Sequence, residues 1–226
     1  MLTWLFRPQC AACGTAASTL CEPCAATLLE LGPSCPRCAE PTAGSAVCAR
    51  CRTTPLPLET ILAPWQFGGQ LASAIRRLKF GQRTHVARDL APLWSPLIAA
   101  AATRYDALVI PIPLHWRRRL RRGYDHAWLL AIHACAAARI TPPRSLLRRI
   151  VASPPQSTLS AADRRANLDG AFVVRDPRAI AGRAIVLVDD VVTTGSTLAA
   201  ATHPLLAAGA STVIGVALAR ATSARG

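Results

Sequence analysis

Eight of the nine cysteines lie within the first 51 residues as four Cys-x-x-Cys pairs, and this spacing constrains the fold more than any other feature. Each pair presents two thiolates on one side of a tight turn, and two pairs complete a tetrahedral zinc site. The short loops between pairs favour pairing of neighbours along the chain, although a cross-braced arrangement also fits the spacing. The pattern predicts two structural zinc sites, with the ligands Cys10, Cys13, Cys21, Cys24, Cys35, Cys38, Cys48 and Cys51.

Cysteine pairs also occur in disulfide frameworks and in redox centres, which are the alternatives to zinc here. A disulfide framework needs an oxidising compartment, which no part of the sequence indicates. Redox pairs normally occur singly, beside a βαβ pattern. A segment this short and poor in large apolar side chains would depend on metal binding for its folding free energy. The ninth cysteine, Cys135, lies in an apolar helical run, so we expect a buried and inert thiol there.

The length of 226 residues allows one substantial domain and one small domain. Prolines at positions 55, 57 and 64 indicate an extended connector between them. We therefore predict a double zinc ribbon at 1–54, a connector at 55–64 and a larger domain at 65–226.

Strand and helix patterns alternate in the larger domain. Short apolar, β-branched runs predict strands at 107–114, 185–188 and 212–219. Helical patterns lie at 71–78, at 86–101 with interruptions by two prolines, and from about 196 to 209. This alternation predicts an α/β fold whose largely parallel sheet is flanked by helices.

The segment 184–197, with the sequence AIVLVDDVVTTGST, joins a strand to a helix through two acids and a run of small residues. Backbone N–H groups at a helix N-terminus bind phosphate well, and hydroxyl side chains add further donors. The segment has no lysine for a P-loop and lacks the glycines of a dinucleotide fingerprint. Asp189 and Asp190 suit ribose hydroxyls and Mg²⁺, so the segment predicts a sugar-phosphate site.

Basic residues outnumber acidic residues by 26 to 12, which gives a formal net charge of +14. Five arginines lie between Arg117 and Arg122, directly after a predicted strand, where ligands bind in open α/β sheets. The charge favours anionic partners, although an arginine-rich surface without a specific partner would look the same. No apolar run is long enough to cross a bilayer and the first ten residues do not resemble a secretory signal, so we expect a cytoplasmic protein.

The whole chain resembles the ComF family, in which a double zinc ribbon precedes a type I phosphoribosyltransferase domain. Four sequence features carry the resemblance besides the cysteine pairs: LKFG at 78–81, PIPLHWRRRLRRGYDHA at 111–127, PPQSTLSAADRRANLDGAF at 154–172, and the segment 184–197. The last resembles the motif that binds phosphoribosyl pyrophosphate (PRPP). The resemblance departs from the family pattern at Asp125, where an amide is common. Asp125 would either contact ligand or cap the following helix, and we favour the cap.

The resemblance implies a role for each group of residues. Asp189 and Asp190 would hold the ribose hydroxyls, with Lys79 and Arg117 as countercharges at the catalytic centre. The 5′-phosphate would lie on Thr193, Thr194, Gly195, Ser196 and Thr197. Pyrophosphate would lie on the loop of Pro111, Ile112, Pro113, Leu114, His115 and Arg117. A hood over the site would contribute Arg164, Arg165 and Asn167.

Two functions follow from these expectations. The first is an enzyme that binds PRPP and Mg²⁺ and displaces pyrophosphate onto an acceptor that the sequence does not identify. The second is a single-stranded-DNA-binding or assembly protein of the competence machinery, with a PRPP site that senses rather than catalyses. ComF relatives are associated with DNA uptake, and a chain of this charge suits single-stranded DNA. The expected partners are thus PRPP or another phosphoribosyl ligand, single-stranded DNA and competence proteins, without insertion into a membrane.

Overall fold

The computed structural model describes residues 8–17, 19–152 and 170–222. Its helices are α1 (Glu22–Ala25), α2 (Ala49–Thr53), α3 (Gly69–Phe80), α4 (His85–Leu90), α5 (Ser95–Tyr105), α6 (Trp116–Arg122), α7 (His126–Ala138) and α8 (Ser196–Ala207). Its strands are β1 (Thr60–Leu62), β2 (Trp65–Gln66), β3 (Leu108–Pro111), β4 (Leu147–Arg149), β5 (Phe172–Val174), β6 (Ala184–Val192) and β7 (Thr212–Arg220). Within the described ranges, no helix is long and apolar enough to span a membrane.

A parallel sheet in the order β1-β7-β6-β3 forms the centre of the molecule, and β2 extends the β1 side along β7. The central strands β6 and β7 are rich in β-branched residues and buried along nearly their whole length. Strands covered on both faces read as continuous apolar runs, which is the pattern in the sequence. The expected α/β fold with a largely parallel sheet is confirmed.

Alternate residues of the central strands face two separate clusters of buried side chains. Val186 and Val188 pack with α3, α4, α5 and α7 on one face, whereas Ile185 and Leu187 pack with α8 on the other. Cys135 lies in the first cluster at 1% exposure, and burial raises the pKa of its thiol to about 11. The expectation that this thiol is buried is confirmed.

The two ribbons pack on opposite faces of this sheet. Cys10 and Cys24 belong to the first cluster, and Cys35, Cys38 and Cys51 belong to the second. Arginine side chains from the larger domain hold both: Arg77 donates to the Cys13 carbonyl over 3.0 Å, and Arg220 donates to the Cys38 carbonyl over 2.7 Å. The ribbons are therefore part of the same packed structure as the sheet.

Three strands differ from expectation, and one of them is β3, which ends at Pro111 rather than at residue 114. Strand β6 does not end at Val188, because its pairing with β7 continues through Asp189, Val191 and Val192. The acids therefore lie within the strand, and the expectation that they follow it is corrected. Residues 60–62 of the expected connector form β1, whose apolar Ile61 is 1% exposed against β7.

A second, two-stranded sheet stands beside the parallel one. Strands β4 and β5 pair antiparallel, with Leu147 opposite Val174 and Arg149 opposite Phe172. The expected hood residues Arg164, Arg165 and Asn167 belong to the segment between these strands and lie outside the described residues.

Candidate active site

Two adjacent carboxylates mark the site near the C-terminal end of β6. Asp189 is partly buried, and Asp190 is 3% exposed. Strand β3 ends alongside at Pro111, which pairs with Val188. Both acids line a cavity of about 430 Å³ at this edge of the sheet, where open α/β folds bind their ligands.

Three side chains surround the Asp190 carboxylate or support it. Lys79, in the last turn of α3, forms an ion pair with it, and His126 Nε2 lies 3.5 Å from its Oδ1. The opposite ring nitrogen of His126, Nδ1, lies 2.7 Å from Arg122 Nη1. A guanidinium can only donate, so Nδ1 accepts and Nε2 carries the ring proton toward Asp190. This arrangement fixes the orientation of Asp190 before any ligand arrives.

The pKa values of the two carboxyl groups are shifted in opposite directions. Burial raises the pKa of Asp189, and the negative charge of Asp190 raises it further. Burial also opposes ionisation of Asp190, but Lys79 and His126 together hold its pKa below the usual range. Asp190 is thus the permanently ionised member, while Asp189 favours a proton donor or a cation beside it.

The small residues after β6 form a tight loop at the start of α8. Gly195 has φ +79° and caps the helix, and a Cβ there would lie 3.0 Å from methyl groups of Leu56 and Ile61. Thr194 Oγ1 and Ser196 Oγ are 2.6 Å apart. Position 195 requires glycine for two reasons. Other residues are strained in the left-handed backbone conformation, and neighbouring methyl groups already occupy the space that a Cβ would need. Thr193, Gly195, Ser196 and Thr197 line the cavity at the N-terminus of a helix of 12 residues, which is a favourable position for an anion.

The second ribbon supports this loop directly. Arg50, on α2 between two of the cysteines, donates from Nη1 to the Thr194 carbonyl over 2.7 Å. Burial opposes the charge of Arg50, but the neighbouring cysteine sulfur atoms, Cys38 first among them, raise the pKa of its guanidinium above the ordinary value. One guanidinium therefore connects a cysteine cluster to the expected phosphate loop.

The segment after β3 forms another wall of the cavity. Ile112, Pro113 and Leu114 line it, and the Leu114 N–H donates to Asp125 Oδ2 over 2.9 Å. Asp125 Oδ1 accepts from the Ala127 and Trp128 N–H groups at the start of α7. The capping interpretation of Asp125 is confirmed, and the same carboxylate also holds the expected pyrophosphate loop.

The arginine run contributes selectively to the cavity. Arg118, Arg121 and Arg122 line it. Arg117 instead lies with its guanidinium 5.2 Å from the ring centre of Trp116, and buried His115 caps α6 by accepting from the Arg117 N–H. Lys79, both acids and most of the phosphate loop are thus brought together, while Arg117 and His115 point to other partners.

Three residues at the site were not anticipated. His126 and Arg149 line the cavity, and Arg50 reaches its loop from the ribbon. Of these, His126 had a sequence signal, because it follows Asp125 within the segment that departs from the family pattern. Arg50 and Arg149 reach the site only through tertiary folding.

The cysteines form two clusters, one of Cys10, Cys13, Cys21 and Cys24 and one of Cys35, Cys38, Cys48 and Cys51, with all sulfur atoms of a cluster within 4.8 Å of one another. Sulfur atoms on a tetrahedral zinc with bonds of about 2.3 Å are roughly 3.8 Å apart. The separations of 3.7 Å for Cys13 and Cys21 and 3.6 Å for Cys38 and Cys48 fit that geometry. Both clusters pair neighbours along the chain and are compatible with a double zinc ribbon.

Backbone groups stabilise thiolates within the clusters. The Cys21 N–H donates to Cys10 Sγ over 3.3 Å, and the Cys48 N–H donates to Cys35 Sγ over 3.4 Å. Burial opposes ionisation of Cys10 and Cys35, but these and neighbouring N–H groups lower the pKa of each thiol to about 6. Thiolate is the form that binds zinc, so the local backbone is already suited to the metal.

Comparisons with known proteins cover both parts of the chain. A double zinc ribbon domain model matches residues 1–52, and a phosphoribosyl transferase domain model matches residues 135–226. DNA utilization protein YhgH of Escherichia coli O157:H7 is 34% identical over 218 residues, 94% of this chain and 93% of that protein. YhgH of Salmonella typhimurium LT2 is 33% identical over 199 residues, 86% and 87% of the two chains. Competence protein F of Haemophilus influenzae is 35% identical over 133 residues, 57% and 58% of the two chains.

Proposed function

Because the chain belongs to the ComF family, which joins a double zinc ribbon to a phosphoribosyltransferase domain, we propose that it binds PRPP with Mg²⁺ and displaces pyrophosphate onto an acceptor. The observation that carries the proposal is the position of Asp189 and Asp190 beside the glycine-capped N-terminus of α8, in one cavity. An acid pair and an anion site so close together match the two ends of a ribose 5-phosphate.

Each part of the cavity has a task in this proposal. Asp189 and Asp190 accept hydrogen bonds from the ribose hydroxyls, and the Thr193–Thr197 loop donates N–H and hydroxyl groups to the 5′-phosphate. The Ile112–Leu114 loop receives the pyrophosphate, whose negative charge Arg118, Arg121 and Arg122 offset. Bound Mg²⁺ would supply further positive charge at the pyrophosphate oxygens, and carboxylates are suitable ligands for it. The proposal retains Arg164, Arg165 and Asn167 as substrate contacts, and Arg117 as a residue that approaches the pyrophosphate.

Calorimetry of PRPP binding in the presence of Mg²⁺ tests the site. Asp189→Asn and Asp190→Asn should each weaken PRPP binding about 10- to 100-fold, since a hydrogen bond to a charged group contributes about 1.5–3 kcal/mol. Glu59→Gln, which removes an exposed carboxylate elsewhere, should leave the affinity unchanged. Wild-type affinity in both aspartate variants would refute the assignment. A screen for PRPP-dependent pyrophosphate release across bases, amines and nucleic-acid ends then tests turnover.

A second candidate function is binding of single-stranded DNA or assembly with competence proteins, with the PRPP site acting as a sensor. The names of the relatives, DNA utilization protein and Competence protein F, favour a link to DNA. The net charge of +14 favours phosphate contacts, which make binding steeply dependent on salt. Filter binding of single-stranded DNA at increasing salt tests this candidate, and retention that does not respond to salt would count against it. We also propose a cytoplasmic location, because zinc-binding thiolates require a reducing compartment.

A further inference from the structure

A second cavity of about 570 Å³ lies across the Ile112–Leu114 loop from the first. The two cavities share this loop and Arg149. The wall of the second cavity continues through α6, the start of α7, strand β4 and Arg175, which follows β5. A ligand in this cavity would therefore lie directly beside a ligand in the first.

Aromatic rings and guanidinium groups dominate the chemistry of this second cavity. Trp116 and Trp128 contribute indole rings, and Trp116 is 55% exposed. The basic side chains of the lining are Arg119, Arg148, Arg149 and Arg175. Indole faces stack on nucleobases and guanidinium groups pair with phosphate oxygens, which is the combination that proteins use for single-stranded nucleic acids and nucleotides.

Few acidic side chains among the described lining residues balance the positive charge of the arginines. Asp125 is the one acid of the lining in the described part of the chain, and both its carboxylate oxygens already accept backbone N–H groups. Arg119 and Arg148 form no side-chain hydrogen bond or ion pair with any residue that the structure describes. At the junction with the first cavity, burial lowers the pKa of Arg149 and nearby Arg118 lowers it further. An anion entering there would stabilise both guanidinium groups.

We propose that the second cavity binds a nucleoside 5′-phosphate, with the base against the indole rings and the phosphate among the arginines. The ligand is either a free mononucleotide or the terminal residue of a single strand, because both present the same groups. Inorganic phosphate would leave the tryptophans unused, and an apolar ligand would leave the arginines uncompensated. Binding here is independent of PRPP, but a role for this ligand as the acceptor rests on the function proposed above.

Fluorescence anisotropy of the full-length, zinc-loaded protein with a labelled, 5′-phosphorylated 12-mer tests the proposal. Trp116→Leu should weaken binding about 5- to 100-fold, the range for loss of one stacked base. Arg148→Gln should weaken binding and lower the salt dependence by about one phosphate contact. Both side chains are exposed, so both variants should fold, and Arg178→Gln, an exposed arginine outside the cavity, is the matched control.

Competition identifies the source of the nucleotide. Equal competition by adenosine 5′-monophosphate identifies a free nucleotide, whereas stronger competition by a 5′-phosphorylated strand than by a circular one identifies a strand end. Asp190→Asn should weaken PRPP binding about 10- to 100-fold and keep 12-mer binding, so the failure of one proposal is distinguishable from the failure of the other. Unchanged affinity in both Trp116→Leu and Arg148→Gln, or equal competition by polyglutamate, would overturn the inference.

Discussion

Removal of Lys79 should lower the stability of the fold, because Lys79 neutralises the buried charge of Asp190. In Lys79→Met the Asp190 side chain, which is 3% exposed on a stretch of β6 that pairs with β7, would keep only the His126 contact at 3.5 Å. Removing one partner of a buried ion pair costs about 3–5 kcal/mol. We expect about 3 kcal/mol, the low end, because His126 remains and the Lys79 side chain is 26% exposed to water. For a chain of this size that corresponds to a fall in Tm of roughly 6–12 °C.

The same reasoning also predicts how the stability difference between the wild type and Lys79→Met changes with pH. In the wild type, Lys79 and His126 hold the pKa of Asp190 low, so their stabilisation is present above the unfolded carboxyl pKa and is lost only as pH falls through the folded pKa. Without Lys79, burial should raise the pKa of Asp190 above its unfolded value, so the variant loses stability as pH rises. The stability difference between the two proteins should therefore be largest near pH 8 and should shrink toward pH 5. Burial and the charge of Asp190 raise the pKa of Asp189, and Lys79 lowers it, so the loss of Lys79 should raise the pKa of Asp189 further and add to the same difference.

Thermal unfolding of the zinc-loaded proteins between pH 5 and 8 provides the assay. Arg76→Met is the matched control, because Arg76 lies on the same helix, is exposed, and bonds only to Ser73 Oγ at 3.4 Å among the described residues. The double variant Lys79→Met/Asp190→Asn should regain about 1 kcal/mol or more, since it no longer buries an uncompensated charge. The reasoning would be refuted by Lys79→Met matching Arg76→Met in stability, or by a difference that is equal at pH 5 and pH 8.

Three further perturbations address the loops around the cavity. Gly195→Ala should lower the free energy of unfolding by about 1–2 kcal/mol because of left-handed backbone strain, and by a further amount because the new methyl group is crowded. It should also weaken PRPP binding. Gly182→Ala, at φ +72° in open space, should show the strain alone in thermal unfolding. Arg50→Met should weaken PRPP binding in calorimetry, while metal analysis still finds two zinc ions. Arg52→Met, whose exposed side chain donates to the Val47 carbonyl, should leave PRPP binding unchanged. Equal affinities in the two variants would exclude a role for Arg50 in positioning the loop. In urea unfolding, Asp125→Ala should lower the free energy of unfolding by about 1–2 kcal/mol. Asp125→Asn should lower it by less, because asparagine still caps a helix. Equal losses of stability in the two variants would contradict the capping role.

Local patterns in the sequence were enough to predict the features that depend on nearby residues. The four Cys-x-x-Cys pairs follow from spacing alone, because each pair is contained in one turn, whereas the structure was needed to show which pairs form one cluster. Strands β6 and β7 follow from their apolar runs, and the cap at Asp125 follows from its position before an apolar helix. In each case the determining residues lie within a few positions of one another.

Features that depend on tertiary contacts were beyond the sequence patterns. Arg50 and Thr194 are separated by 144 positions, and neither position carries a signal for the other. Residues 60–62 are too short a run to indicate a strand until β7 is available to pair with them. The arginine run gave no preferred helical face, because charge on every side of α6 leaves its rotation unspecified. In the folded protein Arg118 lines the site while Arg117 lies over Trp116, and no local pattern indicates this difference.

The position of β7 has a consequence for how the protein is made. This strand, Thr212–Arg220, pairs with both β1 and β6, and Arg220 holds the Cys38 carbonyl. On the ribosome, the cysteine-rich segment emerges long before the strand on which it rests. The nascent chain must therefore keep its thiols reduced and available to zinc while the remainder is translated. The sheet can close only when β7 has been translated, so the arrival of that strand is the event that commits the second ribbon to its final position.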